Sequence, residues 1–468
     1  MPVNIARLNT RVYAAAIISV VVLLALQIFL IRNTEDVLVP FVFLLAAAGV
    51  LLLTTVMNDF SQFLLFLSVV TFAYADSAFN YYLNYIIIQD LPVIFLGVLA
   101  VISWFSQSGS LRIGTGYFGK PLLLMFITAF LLMIYGIVRG NNSYFSIYEF
   151  VQFIYLLLAF PISYMIRDPK KYNTIFNILL AAAVVISFQY ILFGILFYTD
   201  TRYTTFHASM YPVFIALLVS KFIFLKGEVL KRIGIVALII FYAAGAYGTL
   251  TRSVWISMVI ALVATVGFYY YDNNRERLQK YSNLLIMVSA VATAMFLYSF
   301  VVTSVETAQK EGLDYATNRS ERLESLSAPS SDASFLMRVE IAYYLYEKFL
   351  ASPLIGEGLG SSVTYKIFGD SELYYPDSVW FYYLWKGGIL YFALAVWLYT
   401  RLFKSAVRIY RATEDLTVRI YMLAIIGGFT AMMFYGLFAP QLIKYSKLNL
   451  VFAILYAFVI SEEKKLDA

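Results

Sequence analysis

The sequence predicts an all-α polytopic membrane protein, and three observations carry that prediction. The 468 residues are 62% hydrophobic, with a mean hydropathy of +0.78. Only 13% are charged, where a soluble domain averages about 25%. Apolar runs of roughly 20 residues recur along the whole chain, the length at which a helix crosses the hydrocarbon core. They leave no stretch for a large soluble domain. Composition also excludes other classes. Cysteine is absent, so there is no disulfide or thiolate metal site. His207 is the single histidine, which rules out a His-rich metal cluster. The net charge of +6 sits in short loops between apolar runs, as orientation in a membrane requires, and does not point to nucleic acid.

The runs give about fourteen spans. The first eleven fill 1–303, with cores at 12–31, 37–56, 60–75, 91–107, 121–138, 148–166, 174–196, 210–226, 233–250, 253–271 and 283–303. Asp90 and Pro92 interrupt the start of the fourth. The first run lacks a small-residue cleavage site and reads as a retained helix, not a signal peptide. A long loop occupies 304–378, and spans with cores at 379–400, 419–438 and 447–460 complete the chain in 379–468. Lys and Arg fix the orientation. One set of loops is rich in them, as in Arg167, Lys170 and Lys171, or Arg401, Lys404, Arg408 and Arg411. The opposite short loops hold only Arg32, Arg139, Arg202, Arg252, Lys444 and Lys447. The rich set is therefore cytoplasmic, both termini are inside, and the long loop is outer. An even number of spans agrees with that.

The outer loop opens on a polar stretch, SVETAQKEGLDYATNRSERLESLSAPSSDAS, and continues as FLMRVEIAYYLYEKFLASP. Phe335, Leu336, Val339, Tyr343, Tyr346, Phe349 and Leu350 recur there at helical spacing. This predicts an amphipathic helix over about 333–351, lying at the membrane surface or over the bundle. Pro353 ends it. Long loops with structure of their own are usually functional. No internal repeat of the transporter kind stands out.

On a face poor in basic residues, each arginine needs a reason. Arg202 lies in FYTDTRYTTFHASMYPVF before the eighth span, Arg252 in the tight turn between the ninth and tenth, and Arg338 on the amphipathic helix. If the three converge, they form a cationic pocket at the outer interface. The planar guanidinium fork donates paired hydrogen bonds to phosphate oxygens. Those bonds strengthen beside hydrocarbon. Such a pocket suits the diphosphate of a polyprenyl-linked sugar, with the lipid tail between helices. The alternative is that each arginine snorkels or pairs with a nearby acid.

Here the residues begin to resemble a family. TLTRSVWISMVIALV resembles the turn-plus-helix signature of the O-antigen polymerase and ligase superfamily. MRVEIAYYLYEKFLASPLIGEGLGSS is similar to its outer-loop motif, and PDSVWFYYLWKGGILYFAL to the re-entry into the membrane that follows. RYTTFHASMYPVF resembles its upstream outer loop with an arginine. The matches run in order from about residue 200 to 400, while the first half resembles the family only in its density of spans.

The resemblance implies an all-helical membrane glycosyltransferase fold, of the GT-C-like type, in a bacterial inner membrane. It implies glycan transfer from an undecaprenyl diphosphate donor to a sugar hydroxyl of a second lipid-linked molecule. It assigns Arg202, Arg252 and Arg338 to the diphosphate and leaving group. No metal or other cofactor is expected, since the arginines stabilise the charge that develops as the sugar–phosphate bond breaks. A separate chain-length-regulating co-polymerase is a partner the family implies. Ligases of the superfamily carry a histidine before the re-entry helix. Here that place reads Tyr374-Tyr375-Pro376-Asp377-Ser378, which argues for a polymerase and leaves Asp377 as the base or acceptor-orienting group.

Glu149, at the outer start of the sixth span, is the next candidate carboxylate, although an acid there also complements the helix dipole. Tyr343 and Tyr375 are candidates to stack on sugar rings. Gly356, Gly358 and Gly360 in PLIGEGLGSS lack the preceding strand and following Lys-Ser/Thr of a nucleotide loop. They read as a tight turn near the site. Lys386, inside the twelfth span, is expected to face the bundle interior or an aqueous cavity. Three readings stand together: a polymerase, a ligase moving glycan to lipid A-core or protein, and a transporter or flippase of lipid-linked sugars. The third predicts charges along a central path and matched broken helices at the midplane. The unexplained charges gather instead on one face.

Overall fold

The computed structural model describes residues 116–165, 168–196, 209–225, 228–249, 251–273, 333–365, 371–437, 439 and 446–466. The first four expected spans and the eleventh lie outside the described residues. The helices are α1 Gly116–Val138, α2 Ser143–Leu157, α3 Ala159–Met165, α4 Pro169–Leu196, α5 Tyr211–Phe224, α6 Val229–Gly248, α7 Arg252–Asn273, α8 Ala333–Ala351, α9 Val379–Ala412, α10 Leu416–Tyr435 and α11 Ser446–Leu466. Between α8 and α9 lies one antiparallel pair, β1 Val363–Tyr365 with β2 Ser371–Leu373, in which Thr364 faces Glu372. Apart from that pair, the described architecture is all-helical.

Six stretches among the described residues are long and apolar enough to cross a membrane: Tyr117–Val138, Ser143–Ser163, Val229–Gly248, Ser253–Asp272, Val379–Ala412 and Leu416–Tyr435. The protein is therefore a polytopic membrane protein. Local chemistry sets the element ends. Asn142 caps α2, its side-chain oxygen accepting from the amides of Tyr144 and Phe145 at 3.1 and 3.2 Å. Asp415 does the same for α10 toward Thr417 and Val418. The sixth span breaks at Leu158 because Pro161 has no N–H to give Leu157. The eighth, expected over 210–226, is a 14-residue helix whose residues from Tyr211 to Ser220 are all buried. A helix apolar on every side belongs inside the bundle.

That inner helix, α5, packs against α10, and α7 closes the triangle. Small residues let the backbones approach, as membrane packing favours where lipid supplies no hydrophobic drive. Ala216, Ala261 and Ala431 form one contact cluster. A methyl on Gly427 would lie 1.9 Å from the Thr265 hydroxyl, so α10 accepts only glycine opposite α7. α9 runs beside α1, α10 and α11, and α8 lies across α9.

The two ends of the bundle differ in charge. At one end the last turn of α9 meets the last turn of α7, where Arg411 Nε sits 2.7 Å from Asp272 Oδ1. Arg408, Arg419, Lys464 and Lys465 occupy the same region of α9, α10 and α11. α7 thus runs antiparallel to α10, and its first residue, Arg252, stands at the opposite end. That opposite end also holds the start of α9, whose Val379 amide donates to the Gly436 carbonyl at 2.8 Å. Ser209, just before α5, meets Tyr435 there at 3.4 Å.

Candidate active site

The site is built where the chain between α8 and β1 enters a break in α9. Gly388 interrupts α9 with φ 63° and ψ −163°, a conformation essentially restricted to glycine. In a continuous helix the Ile389 and Leu390 amides would bond to the Trp385 and Lys386 carbonyls. Here they donate to Pro353 and Leu354 instead, at 2.8 and 3.4 Å. The two freed carbonyls accept from the Glu357 and Gly358 amides, both at 2.9 Å. The segment 353–358 is thus spliced into the helix and satisfies all four groups. Non-helical backbone at membrane depth is tolerated only with such pairing.

The α1–α2 turn grips the same segment from the other side. Asn141 Nδ2 donates to the Glu357 carbonyl at 2.8 Å and the Leu359 carbonyl at 3.0 Å. Ser146 donates to Leu359 O at 2.9 Å, and Arg139 to Gly356 O at 3.3 Å. Arg139, one of the few basic residues on this face, therefore has a structural reason to be there. Gly356, Gly358 and Gly360 all have positive φ, and a methyl on any of them would meet backbone atoms within 2.6 Å. The sequence reading of these glycines as a tight turn fits. The close approach they permit is to the protein's own backbone.

Beneath this splice lies a buried ion pair. Lys386 Nζ is 2.9 Å from Glu149 Oε1, and both side chains are 0% exposed. Each partner also reaches the loop: the Gly360 amide donates to Glu149 Oε2 at 3.0 Å, and Lys386 donates to the Ser361 carbonyl. Lys386 does turn inward, as its place in an apolar helix predicts. Glu357 joins this buried network from the loop. It is buried, accepts from Trp385 Nε1 at 2.9 Å and pairs with Lys348 Nζ at 3.3 Å. α8 docks through Ile341 and Leu345, which cluster with Val363 and Trp385.

Aromatic rings continue the wall. Tyr374 stacks on Phe145 at 3.6 Å and accepts from Asn142 Nδ2 at 3.3 Å. Tyr375 stands edge-on to Tyr148 and parallel to Tyr382. Its phenol oxygen is buried without a hydrogen bond among the described residues. Burial, with the charge of Glu149 added, pushes the Tyr375 phenol well above its ordinary value, so it is a neutral donor. Asp377 follows two residues on and is half-buried.

The structure brings some of the sequence candidates together. Glu149 and Tyr375 share one cluster, with Asp377 in the adjoining turn. Arg252 is the first residue of α7 at this end, where the helix dipole adds positive potential. Arg338 lies in α8, which crosses this part of α9. For both arginines the backbone alone is described. Arg202 and His207 lie outside the described residues. Tyr343 is 61% exposed on α8, its phenol pushed up by a hydrogen bond to Glu347 and by that carboxylate's charge. Trp255 is a packing residue: it is buried, stacks on Tyr247 at 4.8 Å and donates to Ala246 O. What sequence reasoning missed is the Glu149–Lys386 pair and the splice. The signal available was a lysine beside two glycines inside an apolar span.

No curated protein matches the chain. Residues 236–398 match the family model described as O-antigen ligase, an interval that runs from within α6 through α7 and α8 into α9. It contains Arg252, Arg338, Asp377 and Lys386. The match spans about a third of the chain; it supports a likeness to the O-antigen polymerase and ligase superfamily and fits glycan transfer of the polymerase or ligase type.

Proposed function

We propose that the protein polymerises lipid-linked oligosaccharide repeat units on the outer face of a bacterial inner membrane. The observation that carries this reading is that the family match brackets α7, α8 and the Asp377 segment, elements that gather at one end of the bundle. In the reaction, the acceptor sugar's hydroxyl oxygen bonds to the donor's anomeric carbon. The bond from that carbon to the diphosphate oxygen breaks, and the electron pair leaves with undecaprenyl diphosphate. Arg202, Arg252 and Arg338 hold the diphosphate and stabilise the charge it gains, so no metal is invoked. Asp377 takes the acceptor's proton. Glu149 and Tyr375 border the acceptor side, and Tyr343 offers a ring face to the glycan.

Orientation follows from charge: the end carrying Arg408, Arg411, Arg419 and Lys464 faces the cytoplasm, with both termini, and the spliced loop faces outward. A chain-length-regulating co-polymerase fits such a polymerase as a partner. The absence of histidine from Tyr374 to Ser378 favours the polymerase over the ligase. The test is purified protein with one synthetic undecaprenyl-diphosphate repeat unit, followed on a gel. A ladder supports polymerisation. A single transfer to a distinct acceptor means a ligase, and no product returns the question to transport.

A further inference from the structure

We propose that Glu149 and Lys386 are positioning residues for the transfer reaction, acting by locking the 353–361 segment into the break in α9. Their charges alone do not explain the arrangement. Removing two ions from water costs several kcal/mol each, and apolar replacements of such pairs are often neutral or stabilising. What an apolar pair cannot do is hold the loop. The carboxylate accepts the Gly360 amide and the ammonium donates to the Ser361 carbonyl, so the two charges clamp successive residues of one loop between α2 and α9.

The glycine-rich stretch of the loop has no spare amide with which to bind anions. From Gly356 to Gly360 each N–H is spent, on Ser352 O, Trp385 O, Lys386 O, Leu132 O and Glu149 Oε2 in turn. Its role is therefore to place what flanks it. On one side is α8, which carries Arg338. On the other is the β1–β2 pair, followed by Tyr375 and Asp377. A clamp on Gly360 and Ser361 fixes both flanks against α9. The consequence for glycan transfer rests on the function proposed above, whereas the clamp can be tested without it.

The chain has no native cysteine, so Ser362→Cys reports the loop's accessibility through its maleimide labelling rate. The decisive variant is the charge swap, Glu149→Lys with Lys386→Glu. It restores the attraction across the pair but reverses donor and acceptor toward the loop, so Gly360 N–H and Ser361 C=O both lose their partners. We expect the swapped protein to insert at normal levels, label at least about 10-fold faster and lose about 100-fold in turnover, as displacement by roughly 1 Å does. KM for the lipid-linked donor should stay within about threefold, because kcat carries a positioning loss. A swap with wild-type labelling and turnover would mean that the pair only balances charge, and the proposal falls. If the swap does not accumulate, Glu149→Leu with Lys386→Met removes both bonds to the loop and leaves no buried charge unpaired. Faster labelling there supports the clamp, and unchanged labelling overturns it. Should the wild type transfer no glycan, the labelling arm still decides the clamp while the function proposal fails separately.

Discussion

At the scale of single residues, the account rests on chemistry that conservative substitutions can separate. Arg252→Lys and Arg338→Lys keep the charge but lose the planar fork, so each is expected to lower polymer formation at least about 100-fold. Chain-length distribution on a gel checks this, with protein abundance measured alongside. Asp377→Asn should reduce turnover while leaving donor lipid binding intact, since the change removes a proton acceptor and little volume. Wild-type rates for that variant would strike Asp377 from the reaction. Tyr375→Phe separates structure from function in a different way. Its buried phenol oxygen has no hydrogen bond among the described residues, so deleting it should leave the melting temperature unchanged or raised. A simultaneous drop in transfer is the result expected of a hydroxyl reserved for substrate. In the sequence the arginines stand out by their rarity on one face, and the structure describes only the backbone of Arg252 and Arg338. Glu149 was legible only as an acid near a helix start, because nothing local foretells that its counter-charge lies on α9.

At the scale of elements, the break in α9 is the feature on which the site depends. Gly388→Ala would force a Cβ into a glycine-only conformation and to 2.4 Å from the Leu354 backbone. It should destabilise the solubilised protein by at least about 2 kcal/mol, seen as a lower melting temperature and faster proteolysis after α8. Asn142→Ala removes the α2 cap and the bond to Tyr374, at a cost of about 1 kcal/mol. The helices themselves were largely readable from apolar length: the cores read at 121–138, 233–250, 253–271 and 419–438 match α1, α6, α7 and α10 to within a few residues. The core read at 210–226 matches α5 as well. One element differed for a physical reason: α9 runs beyond the core read at 379–400 because its charged second half continues the helix to Ala412. The splice was not readable. Its hydrogen bonds join residues about 30 apart in sequence, and periodicity reports only neighbours within a helix.

At the scale of the whole molecule, the asymmetry of charge sets orientation, and the cysteine-free chain makes it measurable. A cysteine at Gly140, in the α1–α2 turn, should react with a membrane-impermeant reagent added to intact cells. One at Thr413, between α9 and α10, should react only after the membrane is opened. The reverse pattern would put the spliced loop in the cytoplasm and end the proposal of outer-face chemistry. With orientation fixed, the central claim is that Arg252 and Arg338 meet at one end of the bundle to hold a lipid diphosphate during glycan transfer. Its most direct test is the gel ladder made by purified protein from one synthetic undecaprenyl-diphosphate repeat unit, comparing wild type with folded Arg252→Ala and Arg338→Ala. The account predicts a ladder from the wild type and none from either variant. A full ladder from either one would contradict it.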